Sequence, residues 1–124
     1  MTPRPFLKFV GGKGRLLGEL FAHLPATFGD YHEPFAGGSA LFFGLVREGA
    51  MGGLHHRSAY LSDINAELID TYDAIQTDVG AVIAALREHV YDRDHYYAVR
   101  AQEPLALTLT ERAARTIYLN RCCF

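Results

Sequence analysis

The feature that most constrains this chain is a double glycine set between a short strand pattern and a helical one. Asp30 to Pro34 reads as a strand carrying an acid near its end, Phe35-Ala36-Gly37-Gly38-Ser39 as a turn, and Ala40 to Arg47 as an apolar helix. Glycine lets another backbone or a ligand approach the turn closely. A second strand pattern, Ala59-Tyr60-Leu61, runs into Ser62-Asp63-Ile64-Asn65. A helix follows, with Leu68, Ile69, Tyr72, Ile75 and Gln76 at helical spacing. Strands alternating with helices imply βαβ units and a parallel sheet, so the expected class is α/β. Ligands of such sheets sit at the carboxyl ends of the strands.

The flanking segments are largely helical. Arg15 to Leu24 places Leu16, Leu17, Leu20, Phe21 and Leu24 on one face, and Pro25 ends it. Gly49 to Ser58, with His55-His56, reads as a surface loop, and the histidine pair lacks the further ligands of a metal site. Val79 to Val90 continues as a helix after Gly80. Asp92 is placed to cap Arg93 to Ala101. Thr110 is expected to cap a last helix, with Glu111 in its first turn and Ala113, Ala114, Ile117 and Tyr118 on its apolar side. Glu67, Asp70 and Asp73 recur at helical spacing and read as a solvated face.

Composition bounds the class. At 124 residues, 49% apolar and 21% charged, the chain suits one ordinary globular domain. No apolar run reaches the roughly 20 residues that span a bilayer, and Met1 to Lys8 holds no secretory h-region. Adjacent Cys122 and Cys123 cannot staple a small secreted fold, which points to a reduced, cytoplasmic setting. Net charge is −2, against a wholly basic nucleic-acid coat. Yet Arg112 to Phe124 carries Arg112, Arg115 and Arg121 and no acid, a basic end that could meet phosphates or simply be a solvated face.

Three stretches carry chemistry. Gly11-Gly12-Lys13-Gly14-Arg15 is not a Walker loop, because Leu7 stands where that motif needs glycine and Gly14 where it needs Ser or Thr. Glu33-Pro34-Phe35-Ala36-Gly37-Gly38 lacks the third glycine of the dinucleotide fingerprint. Asp63, at the tip of the second strand, stands where nucleotide-binding folds place a carboxylate on ribose hydroxyls; it is equally suited to cap the following helix.

In this order, Phe6-Leu7-Lys8-Phe9-Val10-Gly11-Gly12-Lys13, Glu33 to Phe42, Leu61 to Asn65, and Ile117-Tyr118-Leu119-Asn120-Arg121 resemble the Dam-like (D12 class) DNA adenine-N6 methyltransferases. His95-Tyr96-Tyr97-Ala98-Val99-Arg100 matches a looser Tyr-Tyr-x-x-Arg pattern. The resemblance implies a partial Rossmann-like fold with an appended helical segment. It implies S-adenosylmethionine (AdoMet) as cofactor and double-stranded DNA as partner, in the manner of restriction-modification enzymes. Residues 1–90 would be the AdoMet-binding part with an incomplete sheet, and 91–124 the start of a helical DNA-recognition part. Phe9, at a position that is often Trp, would lie beside the cofactor with Lys13. Glu33, Pro34, Phe35, Gly37 and Gly38 would form the turn under its methionine part. Asp63 would bind the ribose and Ile64 pack on adenine. Ser39 departs from a common glycine. Lys8, Asn120, Arg121 and Phe124 would face DNA, Lys8 through guanine O6 or N7.

The family's catalytic Asp-Pro-Pro-Tyr segment is absent, since no Pro-Pro occurs in the sequence. No catalytic residue and no metal ligand is therefore assigned. The expectation is a cofactor-binding half that is inactive alone, partnered by a missing C-terminal half or by itself through an unfinished sheet. The competing readings are a non-catalytic AdoMet-binding module, a decayed gene product and, against the glycine mismatch, half of a dinucleotide-dependent oxidoreductase.

Overall fold

The computed structural model describes residues 2–9, 12–49 and 58–123. Its elements form a mixed, mostly helical α/β chain in two compact units, residues 1–64 and 65–124. That packing boundary falls earlier in the chain than residue 90.

The first unit holds a 3-10 turn (Lys13–Leu16), helix α1 (Leu17–His23), strand β1 (Tyr31–Glu33), helix α2 (Ala40–Arg47) and strand β2 (Ala59–Leu61). The strands pair in parallel, Tyr31 with Ala59, His32 with Tyr60 and Glu33 with Leu61. The ladder continues past both strands: Ser62 N–H donates to Glu33 O (3.0 Å) and Ala36 N–H to Ser62 O (3.0 Å). Tyr31 and Leu45 are buried, with Phe21, Leu24, Phe28, Leu41, Phe42 and Leu61 around them. Helices α1 and α2 pack tightly at Gly44, where a Cβ would meet the Phe21 ring at 2.9 Å. One expectation fails here. Leu16 closes the 3-10 turn, which winds with three residues per turn, and is 51% exposed rather than on the apolar face of α1.

The second unit holds α3 (Ala66–Arg87), α4 (Arg93–Arg100), a 3-10 turn (Pro104–Ala106) and α5 (Leu109–Arg121). Helix α3 is broken at Asp78, whose extended backbone (φ −155°, ψ 86°) interrupts it. The Asp78 carboxylate accepts from Ala81 N–H (2.9 Å) and restarts the helix. Two cap assignments shift. Asn65, not Asp63, caps α3 by accepting from Leu68 N–H. Thr108, not Thr110, caps α5 in a reciprocal box with Glu111, because the Thr-x-x-Glu spacing satisfies both Glu111 N–H and Thr108 N–H. Asp92 caps α4 as its position predicts.

Of the three acids expected on a solvated face of α3, Asp73 is exposed, but Glu67 and Asp70 are engaged within the fold. Arg112 Nε donates to Asp70 (3.0 Å) and Arg115 Nη1 to Glu67 (3.0 Å), fastening α3 to α5. Arg115 is buried and also donates to the carbonyls of Val99 and Arg100 at the end of α4 (3.0 Å each). Two of the three arginines of the basic end therefore hold the fold together. Among the described residues no helix is long and apolar enough to cross a membrane. Cys122 and Cys123 are both free thiols.

Candidate functional site

At the carboxyl ends of β1 and β2 lies a cleft of about 640 Å³, within the size range of small-molecule sites. Its walls come from three separated stretches: Leu7, Lys8, Phe9, Lys13 and Arg15; then Phe35, Ala36, Gly37 and Gly38; then Asp63. A smaller recess of about 400 Å³ is lined by Tyr31, Glu33, Pro34 and Leu41 among others, and shares Lys13 and Phe35 with the cleft.

The glycine turn is held from two sides. Asp63 Oδ2 accepts Gly37 N–H (3.0 Å), so the acid after β2 rivets the turn after β1. Gly37 has φ +50°, a left-handed backbone that glycine adopts without steric cost. At Gly38 a Cβ would stand 3.1 Å from Leu7 O, so the turn and the Leu7 segment approach backbone to backbone. Ser39 also sits left-handed (φ 51°), which explains why glycine suits that position. Its buried hydroxyl has no hydrogen-bond partner among the described residues.

Charges of both signs meet beside the turn. Lys13 Nζ donates to Phe35 O (2.7 Å) and lies 3.6 Å from Glu33 Oε1. Glu33 is 5% exposed; its Oε2 accepts the Tyr31 hydroxyl (2.8 Å), while Oε1 has no hydrogen-bond partner among the described residues. Burial, with the Glu33 carboxylate bonded to and charged beside it, pushes the Tyr31 phenol above its ordinary range. Two apolar side chains stand open to solvent near these polar groups: Phe35, 79% exposed, and Ile64, fully exposed.

The structure thus gathers Lys8, Phe9, Lys13, Phe35, Gly37, Gly38 and Asp63 on one cleft, with Glu33 and Pro34 in the adjoining recess. Ile64 follows Asp63 but is not among the lining residues. Asn120 and Arg121 lie in the last turn of α5, in the other unit, and Phe124 lies outside the described residues, as do His55 and His56. Sequence reasoning missed Tyr31 and Leu7. Tyr31 had a usable signal: residues two apart on a strand share a face, so Tyr31 and Glu33 point the same way.

Comparison with known proteins finds that residues 9–124 match the sequence profile of the D12 class N6 adenine-specific DNA methyltransferases. The chain is 32% identical over 127 residues to Type II methyltransferase M1.LlaDCHI of Lactococcus lactis subsp. cremoris, covering 98% of this chain and 42% of that protein. It is 32% identical over 122 residues to Type II methyltransferase M.CviBI of Paramecium bursaria Chlorella virus NC1A, covering 98% and 44%. It is 32% identical over 126 residues to the DNA adenine methylase of Haemophilus influenzae, covering 98% and 41%. The chain spans under half the length of each of these relatives.

Proposed function

This chain belongs to the D12 class of N6 adenine-specific DNA methyltransferases, and from that membership we propose that it supplies the AdoMet-binding part of a Rossmann-like enzyme methylating adenine N6 in DNA. The observation that carries the reading is the convergence of three separate stretches on one cleft at the strand ends.

The residues present suit the cofactor. A buried carboxylate oxygen without a hydrogen-bond partner among the described residues, Glu33 Oε1, calls for a donor, because leaving such a group unsatisfied is costly. Lys13 and Glu33 set a cation and an anion 3.6 Å apart, a pairing complementary to an amino-acid zwitterion. Gly38 keeps the turn clear of the Leu7 backbone. Asp63 fastens the turn and offers carboxylate to ribose hydroxyls, Phe9 and Phe35 supply apolar wall, and Ile64 offers an apolar face for adenine. When bound, AdoMet supplies an electrophilic methyl group. The work of these side chains is to fix its orientation, since alignment is the main demand of in-line transfer.

The target base must leave the duplex to be reached. Lys8, exposed at the rim of the cleft, is assigned to guanine in the target site. Asn120, Arg121 and Phe124 are assigned to DNA in the helical part, with the functional division near residue 90. Arg112 and Arg115 are left out of that role, because their guanidinium groups are engaged within the fold.

Titration calorimetry of the 124-residue polypeptide with AdoMet tests the reading. Saturable binding that weakens on Asp63→Ala is expected; no binding at millimolar AdoMet refutes it. The same polypeptide, lacking Asp-Pro-Pro-Tyr, is expected to transfer no methyl group to adenine-containing duplex. Turnover would place the catalytic chemistry in residues other than that segment.

A further inference from the structure

We propose that Tyr31 is a positioning residue for the amino-acid end of the cofactor: its hydroxyl holds Glu33 Oε2 and leaves Oε1 presented to an ammonium donor. The inference rests on the AdoMet reading and extends it to a residue outside the glycine turn.

The argument begins with the buried pair. Tyr31 is 8% exposed and Glu33 5%, and the 2.8 Å bond between them lies on one face of β1. A carboxylate with both oxygens free can rotate; one with an oxygen held by a buried phenol cannot do so without breaking that bond. The phenol's raised pKa keeps it a donor throughout the neutral range. Lys13 forms an ion pair with Oε1 at 3.6 Å, too long for a hydrogen bond, while one of its three N–H donors is held by Phe35 O at 2.7 Å. The geometry therefore keeps a buried, oriented acceptor that is paired in charge with Lys13 but receives no hydrogen bond among the described residues. Tyr31, Glu33 and Lys13 all line the smaller recess, which shares Lys13 and Phe35 with the cleft. A ligand bearing an ammonium group and a carboxylate meets an acceptor and a cation there. A nucleoside without the amino-acid portion meets neither.

That difference gives the test. Binding of two probes, S-adenosylhomocysteine and 5′-methylthioadenosine, is measured by calorimetry on the whole chain. The second probe keeps the nucleoside and sulfur and lacks the amino-acid group. Tyr31→Phe is expected to weaken S-adenosylhomocysteine by about tenfold, because an Oε1 no longer held in place forfeits roughly one well-oriented hydrogen bond to the ligand's ammonium, and to leave methylthioadenosine unchanged. Glu33→Gln, which keeps an acceptor for Tyr31 but removes the charge, should show the same selectivity with a larger loss. It serves on its own if Tyr31→Phe does not fold. para-Aminophenylalanine at position 31, which restores a donor on the same ring, should recover the discrimination. Equal weakening of both probes by Tyr31→Phe, or no effect of Glu33→Gln on their ratio, overturns the proposal. Failure of the unmodified chain to bind either probe overturns the cofactor reading itself, and the proposal with it. Binding of methylthioadenosine as tight as S-adenosylhomocysteine by the unmodified chain overturns the proposal alone.

Discussion

Replacing Arg115 should unfasten the second unit. Its guanidinium is buried and makes three hydrogen bonds of 3.0 Å, to Val99 O, Arg100 O and Glu67 Oε2. Bonds involving a charged group contribute about 1.5–3 kcal/mol each when buried. The Glu67 side chain is 42% exposed, so that member is discounted to less than about 1 kcal/mol. Val99 O also receives Gln102 N–H at 3.2 Å and is not orphaned by the change. Arg115→Ala should thus cost about 3 kcal/mol, mostly through the lost link between α5 and the end of α4. For a unit of this size that lowers the melting temperature by on the order of 15 °C. Arg115→Lys, which keeps charge but not the planar fork, should recover less than half. Glu67→Gln should cost less than about 1 kcal/mol. Thermal unfolding followed by near-ultraviolet circular dichroism of the tyrosines, including buried Tyr96 and Tyr118, reads these changes. A shift under about 3 °C for Arg115→Ala would refute the reasoning. So would Glu67→Gln equalling it, for the exposed ion pair would then be the dominant bond.

Other expectations are independent of that one. Ser39→Ala removes a buried hydroxyl without a partner among the described residues and should stabilise the first unit by about 1 kcal/mol in urea denaturation; a loss sinks the idea. Ser39→Gly should come within about 0.5 kcal/mol of the alanine variant, since relief of the left-handed strain offsets glycine's greater unfolded freedom. Asp63→Asn keeps an acceptor for Gly37 N–H, so the melt should move by less than about 1 kcal/mol while AdoMet affinity falls about tenfold or more; unchanged affinity removes Asp63 from the site. His89 has its pKa lowered from 6.5 by burial and by nearby His95, with Glu88 opposing, and its ring stacks on Tyr118 at 4.7 Å. Protonation therefore favours the unfolded chain: stability is full above about pH 6.5 and falls as pH drops through the lowered folded value. Melts across that range should flatten in His89→Asn, and an unaltered slope would assign the dependence elsewhere. Thr108→Ala should cost about 1 kcal/mol in the same melts through loss of the α5 cap, and no change would deny the capping box its part.

The first unit was legible in the sequence because its signals are local. Proline and glycine punctuate it, and β1, the turn, α2 and β2 fall where the patterns place them. The glycine turn was also legible as a point of close backbone approach, since such approach leaves few alternatives to glycine. The bond between Asp63 and Gly37 was not, because it joins residues 26 apart. The second unit misled for a similar reason. Glu67 and Asp70 look solvated when α3 is read alone, and Arg112 and Arg115 look like a phosphate patch when α5 is read alone. Only their pairing across 42 and 48 residues shows that each explains the other. The Thr108 cap was readable, since Thr-x-x-Glu is a local signature that outranks Thr110 next to the same acid.

The parallel ladder also sets where this chain can change length. Glu33 faces Leu61, and the ladder bonds of Ser62 and Ala36 with the Asp63–Gly37 bond carry that register into the turn. Deleting one residue between Ser58 and Asp63 would turn successive side chains to the opposite face of the strand and draw Asp63 away from Gly37. Spacing within each strand-and-turn block is thus rigid. An inherited insertion or an engineered graft would fail inside either block.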